Sequence, residues 1–156
     1  MNLKFLKSSA KKKFLDCLRE QYGISNLPFL LMETGKEKIR GFSGSMSKEE
    51  ILELSEIANV EVVGLYLFKS DGTLRLGLDG THILKKQISK NILKITKEEL
   101  GDWLRGRDIE KEIDRGIWVI DHDGDFVGCG LSDGMRIINH VPKERRIRSS
   151  LQHFKI

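Results

Sequence analysis

Between Ile117 and Val141 the chain reads as three short apolar runs broken by Asp-Gly pairs, a pattern that no helix accommodates. Ile117 to Asp121, Phe126 to Leu131 and Met135 to Val141 have strand length, and Asp123-Gly124 and Asp133-Gly134 mark the turns between them. Closely spaced short strands with glycine turns predict a small barrel, closed so that no edge strand is left unpaired. Ahead of it, Ile92 to Ile95 reads as a short strand. Thr96 with Glu99 forms a capping box that starts a helix carrying Leu100, Trp103 and Leu104 and ending at Gly106.

The first half has a different texture. Leu3, Leu6, Ala10, Phe14, Leu18 and Tyr22 recur at helical spacing, and Gly23 stops the helix. Pro28 to Glu33 and Lys38 to Phe42 read as strands around a turn at Thr34-Gly35. Ser47 with Glu50 is a second capping box, opening a helix through Ile51, Leu54, Ile57 and Ala58. Val60 to Phe68 and Thr73 to Leu78 form a hairpin about Asp71-Gly72, and Asp79 caps a short helix through His82, Ile83, Leu84 and Lys86. The expected class is α+β, with helices on a small sheet in residues 1–86 and a barrel in residues 87–156. With no Pro- or Gly-rich linker near 86 to 91, the two lobes are expected to pack together.

Composition narrows the function classes. Of 156 residues, 39% are hydrophobic and 32% charged, a globular profile. The longest apolar runs, such as Phe29-Leu30-Leu31-Met32, are too short to span a bilayer, and the first residues hold no apolar stretch for a signal peptide. Cys17 and Cys129 build neither a disulfide framework nor a zinc site. A reduced, cytoplasmic setting is expected, with no membrane partner. The net charge of +4 is unevenly spread. Residues 1 to 20 hold six bases against two acids, Val141 to Ile156 five against one, and Gly101 to Asp125 four against eight. Segregation of this kind makes a local field far larger than the net charge implies, and a basic stripe concentrates a polyanion such as RNA.

Catalytic signals are missing. Asp121-His122-Asp123-Gly124-Asp125 invites a metal, but consecutive residues at a strand end point to opposite faces and the calcium-loop spacing fails. It reads as a solvated hairpin turn. The four histidines build no ligand pair on one helix face. The chain has no Gly-x-Ser-x-Gly elbow, no phosphate loop of the Gly-x4-Gly-Lys type and no dinucleotide fingerprint. Gly128-Cys129-Gly130 reads as a bulge or a tight corner in a strand. No cofactor is expected. What remains is Asn139 to Arg148, where Pro142 ends strand pairing and Lys143, Arg145, Arg146 and Arg148 put four cations into six residues. Arginine's planar fork suits phosphate oxygens, and each neutralised phosphate adds a salt-dependent increment through counterion release.

Leu104-Arg105-Gly106, the Gly116 that opens a strand, Gly128-Cys129-Gly130, and Asn139 with Pro142-Lys143 and Arg145-Arg146 together resemble the PUA (pseudouridine synthase and archaeosine transglycosylase) RNA-binding domain. The resemblance covers roughly residues 88 to 148 and is nearest to the PUA-like domain of Nop2/Sun-type RNA cytosine methyltransferases. The order of elements in the first half, with Arg75 in its hairpin, resembles the pre-PUA lobe of Nip-type ribosome-biogenesis factors. The resemblance implies an N-terminal α/β pre-PUA lobe followed by a C-terminal PUA-like β-barrel. It also implies an RNA-binding surface in which Arg105, Gly106 and Arg107 form a turn and Lys143, Arg145 and Arg146 line the neighbouring strand, with Arg148 beyond. Gly106 has two roles open to it: close approach of a phosphate to the backbone, or a plain helix C-cap.

The methyltransferases also need a Rossmann-like cofactor domain and a Pro-Cys nucleophile. Here Pro28 precedes Phe29 and Pro142 precedes Lys143, and no such domain fits within these residues. The expectation is therefore a non-catalytic protein that recognises structured rRNA or tRNA, in ribosome biogenesis or RNA modification. The alternative is a protein-interaction module, or accessory subunit, whose partner is a ribosome-assembly factor or a separately encoded RNA methyltransferase.

Overall fold

Leu3 does not begin the first helix as its spacing suggests. In the computed structural model, which describes residues 3–57 and 64–148, Leu3–Phe5 form a strand (β1) paired antiparallel with Leu30–Thr34 (β2). Helix α1 starts only at Ser8 and runs to Tyr22. An extended Leu-Lys-Phe satisfies its backbone in the ladder, and Leu6 continues the link by donating its N–H to Leu31 O at 3.1 Å. The end of α1 is as expected. Gly23 takes the left-handed conformation at φ +87°, and the N–H groups of Gly23 and Ile24 return to Arg19 O and Leu18 O.

Lys38–Phe42 (β3), Leu65–Ser70 (β4) and Leu74–Leu76 (β5) complete a five-stranded antiparallel sheet in the order β1-β2-β3-β4-β5. Helix α2, Lys48–Ile57, starts where Ser47 Oγ accepts the Glu50 N–H at 3.1 Å. Ala58, Val60 to Val63, and the tail from Ser149 with His153 and Lys155 lie outside the described residues. Helix α3, Leu78–Ile83, leads through a 3-10 turn at Lys85–Gln87 into the second half.

There Ile92–Lys94 (β6), helix α4 at Lys97–Leu104, Ile109–Glu110 (β7), Gly116–His122 (β8), Asp125–Ser132 (β9) and Arg136–Ile138 (β10) follow in turn. The Thr96 box forms in both directions: Thr96 Oγ1 accepts from Glu99 N at 3.2 Å, and Glu99 Oε1 accepts from Thr96 N at 2.9 Å. Burial alone would raise the Glu99 pKa. The Thr96 N–H and the Lys111 ammonium, 3.3 Å away, outweigh it and hold the carboxyl below its ordinary value.

The expected closed barrel is corrected by the strand order β6-β8-β9-β10-β7, an open five-stranded sheet with β6 parallel to β8 and β7 at the other edge. Three-residue β6 and two-residue β7 each pair on one side only, with β8 and β10, and not with each other. Short edges also offer little template to another chain. Trp103, fully buried, packs in one cluster with Leu93 of β6, Ile109 of β7, Ile120, Ile137 and Val141.

A second, larger cluster crosses both halves. Leu18, Tyr22, Leu67, Phe68 and Leu76 pack with Ile117, Val119, Phe126 and Cys129. Strand β8 serves both: alternate residues Ile117 and Val119 face the first half, while Trp118 and Ile120 face Trp103. Strand β9 does the same with the help of a bulge. Asp121 opposes Phe126 while Val119 opposes Cys129, so β9 carries one extra residue, and Gly128 at φ +89° absorbs it. The extra residue turns Phe126 and Cys129 to the same core.

Helix α3 lies between the sheets. Gly80 rests on the carbonyl of Leu67 in β4, and Thr81 Oγ1 accepts the Gly128 N–H from β9 at 3.2 Å. Burial pushes the Cys129 thiol up to about 12, whereas Cys17 is exposed on α1. Native protein at about pH 8 should therefore take up one equivalent of iodoacetamide, at Cys17, and a second only after denaturation. Rapid labelling of both thiols in the native state would contradict the packing of β9.

Candidate nucleic-acid interface

The turn after α4 is built by backbone bonds and locked by one side chain. Arg105 N and Arg107 N donate to Asp102 O, and Gly106 N donates to Trp103 O at 3.0 Å. Gly106 adopts φ +87°, a conformation that costs other residues strain. Asn139, just after β10, donates through Nδ2 to Trp103 O at 2.7 Å and to Arg107 O at 2.9 Å, and accepts Val141 N–H through Oδ1 at 2.8 Å. Asn139 thus ties the helix end, the turn and the tail together. The sequence motif contained it without revealing that role.

The tail approaches the same turn. Ile147 donates its N–H to Leu104 O at 2.8 Å, and Arg146 Nε donates to Val141 O at 2.9 Å. The Arg146 side chain crosses Gly106 so closely that a Cβ there would lie 2.5 Å from Arg146 Cδ and 2.6 Å from Cζ. The space left by the missing side chain is filled by the arginine, so Gly106 serves both as the left-handed turn and as the bed of Arg146.

The expected cations do not all gather here. Lys143–Arg145 form a 3-10 turn rather than a strand, which corrects the expectation that these residues line one. Its curvature sends neighbours apart: Arg146 lies on Gly106, while Arg145 reaches back to Asp79 of α3, Nη1 to Oδ1 at 3.2 Å. Arg107 is exposed and pairs with Asp102 at 3.0 Å. Arg105 is half-buried at the helix end, its guanidinium near Gly101. Lys143 and Arg148 are exposed, and among the described residues neither makes an ion pair. The result is a ridge in which Arg105, Gly106, Arg107 and Arg146 lie at one turn, Lys143 and Arg148 flank it along the chain, and Arg145 is turned toward Asp79.

Asp121 to Asp125 form the β8–β9 turn, with Asp123 at φ 49° and Gly124 at φ 89°. Asp121 Oδ1 accepts the Gly124 N–H at 2.9 Å, so that carboxylate is occupied in closing the hairpin. Among the described residues no group of three or more His, Cys, Asp or Glu side chains is placed to hold a metal ion, and no helix is long and apolar enough to cross a membrane.

Residues 90–147 match the family model of the methyltransferase RsmF PUA domain. The fold is similar to that of a conserved PUA domain protein from Thermoplasma acidophilum, with 15% identity and a TM-score of 0.62, covering 99% of this chain and 100% of that one. The second half thus resembles a PUA domain, and the whole chain has a PUA-like fold. Its second half resembles the PUA domains attached to Sun-type methyltransferases, as the ordered Arg-Gly, Gly-Cys-Gly and Pro-Lys motifs imply. No curated protein sequence matches it. A PUA domain suggests RNA binding, and the Gly106 turn with Arg105, Arg107, Lys143 and Arg146 lies within the matched residues.

A second cationic group escaped the sequence reading. A cleft of about 540 Å³ opens where β3, β4 and β5 face β9 and the segment from His140 to Arg145. Five of its lining residues are cations: Lys38, Arg40, Lys69, Arg75 and Arg145. Two are carboxylates, Asp79 and Glu144. His140 also faces it. Burial, then the positive field of Arg75, lowers the His140 pKa, and its Nε2 is buried without a hydrogen-bond partner among the described residues. The only sequence hint was the Lys-x-Arg alternation of β3, which places Lys38 and Arg40 on one face.

Proposed function

We propose that this chain is a PUA-domain protein, a non-catalytic factor that binds structured rRNA or tRNA in ribosome biogenesis or RNA modification. In this reading residues 1–86 are a pre-PUA lobe, residues 87–156 carry the RNA-binding surface, and the protein works in the cytoplasm. The observation that carries the reading is the seating of Arg146 on Gly106, with Ile147 bonded to Leu104. These contacts join the helix turn and the start of the cationic tail. The ridge offers guanidinium and ammonium groups to phosphates along a helical RNA surface, which is recognised mainly by backbone and shape.

The exposed cations supply the test. Lys143→Ala with Arg148→Ala removes two charges that hold nothing else together in the described fold. RNA affinity should fall, and the slope of log K against log salt should flatten by roughly 1.5, the release of counterions from two phosphates. The measurement is a filter-binding titration against a structured RNA over a range of salt. An unchanged slope would remove this ridge from the RNA contact.

A further inference from the structure

The cleft between the sheets has the size and chemistry of a site for one nucleotide. Its volume of about 540 Å³ lies within the span of small-molecule pockets. The charges in it are incompletely compensated. Asp71 is shared by Lys69 at 3.6 Å and Arg75 at 3.9 Å, so a single carboxylate faces two cations. Arg40 is held by neutral acceptors, Thr34 Oγ1 at 3.2 Å and Gly64 O at 3.3 Å, which fix its guanidinium without cancelling its charge. Preoriented cations with a shared counter-charge are suited to phosphate oxygens.

The same space has an apolar wall and a buried polar atom. Tyr66 packs against Gly77, Lys38 Nζ stands 5.7 Å from the Tyr66 ring centre, and Leu65 at the rim keeps 45% of its surface exposed. His140 Nε2 gives the interior a hydrogen-bonding group whose partner the described residues do not supply. Unpaired RNA bases are recognised by this mix of aromatic and apolar contact with edge hydrogen bonds.

Position distinguishes a nucleotide within an RNA chain from a free one. Pro142, Glu144 and Arg145 line the cleft, while the next residue, Arg146, lies on the Gly106 turn. An RNA held on the ridge therefore runs past the cleft mouth. We propose that the cleft receives a single unpaired nucleotide of the RNA bound on the PUA ridge, its phosphate against Lys38, Lys69 and Arg75 and its base against Tyr66 and Leu65. This inference rests on the proposed RNA-binding role and adds what that role lacks, a pocket that discriminates an unpaired residue from a duplex.

Fluorescence anisotropy with two labelled RNAs tests it: a blunt hairpin, and the same hairpin with a single-stranded extension of about four nucleotides. The full chain should bind the extended hairpin more tightly. Lys38→Gln with Lys69→Gln should weaken binding of the extended hairpin about tenfold and leave the blunt hairpin within about twofold. Lys38→Gln alone, at an exposed position, should give a smaller loss in the same direction. The ridge variant of Lys143 and Arg148 should weaken both RNAs.

Wild-type affinity of the double cleft variant for the extended hairpin would overturn the cleft assignment while leaving the ridge intact. Equal losses on both RNAs would overturn it too, making the cleft cations part of a general phosphate surface. If the unmodified chain binds neither RNA, both readings fall. Saturable binding of adenosine monophosphate, lost in the cleft variant and accompanied by no RNA binding, would show instead a free-nucleotide site.

Discussion

Trp103→Ala should lower the unfolding free energy by about 3–5 kcal/mol, the largest loss expected from any single truncation in the second half. The indole is fully buried in one cluster with Leu93 of β6 and Ile109 of β7, and no ladder of backbone bonds holds β6 to β7. Gly130 exists to admit it: a Cβ on Gly130 would lie 2.7 Å from Trp103 Cη2 and overlap Ile137. The ring also donates Nε1–H to Val127 O at 2.8 Å, and its main-chain oxygen accepts from Asn139 and Gly106. Removing the ring opens a cavity, strands the Val127 carbonyl and loosens the turn that carries the ridge. Denaturant titration followed by circular dichroism reads the loss, and RNA affinity should fall with it. Trp103→Phe, which keeps most of the volume and loses the hydrogen bond, should cost about 1–3 kcal/mol and remain folded for comparison. A loss below about 1 kcal/mol for the alanine variant would mean that the ring does not hold this cluster together.

Gly80→Ala should destabilise by about 2–3 kcal/mol, against the usual sign. In an exposed helix the same change would add up to about 1 kcal/mol of stability, because glycine gives up the most backbone freedom on folding. Here the added Cβ would collide with Leu67 O and come within 3.0 Å of Leu67 C. Both are backbone atoms of a central strand and cannot rotate away. Helix α3 must lift from β4, carrying with it Asp79, the partner of Arg145, and Thr81, the acceptor for Gly128. Thermal or denaturant unfolding decides the matter by sign: a stabilised variant would show that α3 does not bear on β4 as closely as the structure places it.

Features that depend on neighbours in the chain were legible. The Thr96–Glu99 box, the Gly23 stop and the Asp123-Gly124 hairpin each rest on a few consecutive residues, and all three form. The Arg-Gly, Gly-Cys-Gly and Pro-Lys order likewise pointed to the PUA domain. What was not legible depends on partners far away in sequence. Leu3 fits a helical stripe but is claimed by β2, and β7 is only two residues long. The barrel was inferred from strand spacing, which does not reveal that β6 and β7 stand at opposite edges without pairing. Arg145 and Arg146 looked like one cluster because they are adjacent, yet a 3-10 turn and the pull of Asp79 divide them between two sites. The cleft cations were overlooked for the complementary reason. Lys38, Arg40, Lys69 and Arg75 are scattered in sequence, and only the pairing of β3, β4 and β5 assembles them.

Strand β8 has a consequence for how such a reader could be moved about in evolution. One row of its side chains belongs to the Trp103 cluster, and the other, with Phe126 and Cys129, is covered mainly by residues from the first half. Excised alone, residues 90–147 would present a greasy flank to water and seek a substitute cover. Any host that acquires this module must therefore bring a matching apolar shoulder, and the shape of that shoulder dictates the angle at which the RNA-facing ridge is held relative to the rest of the host.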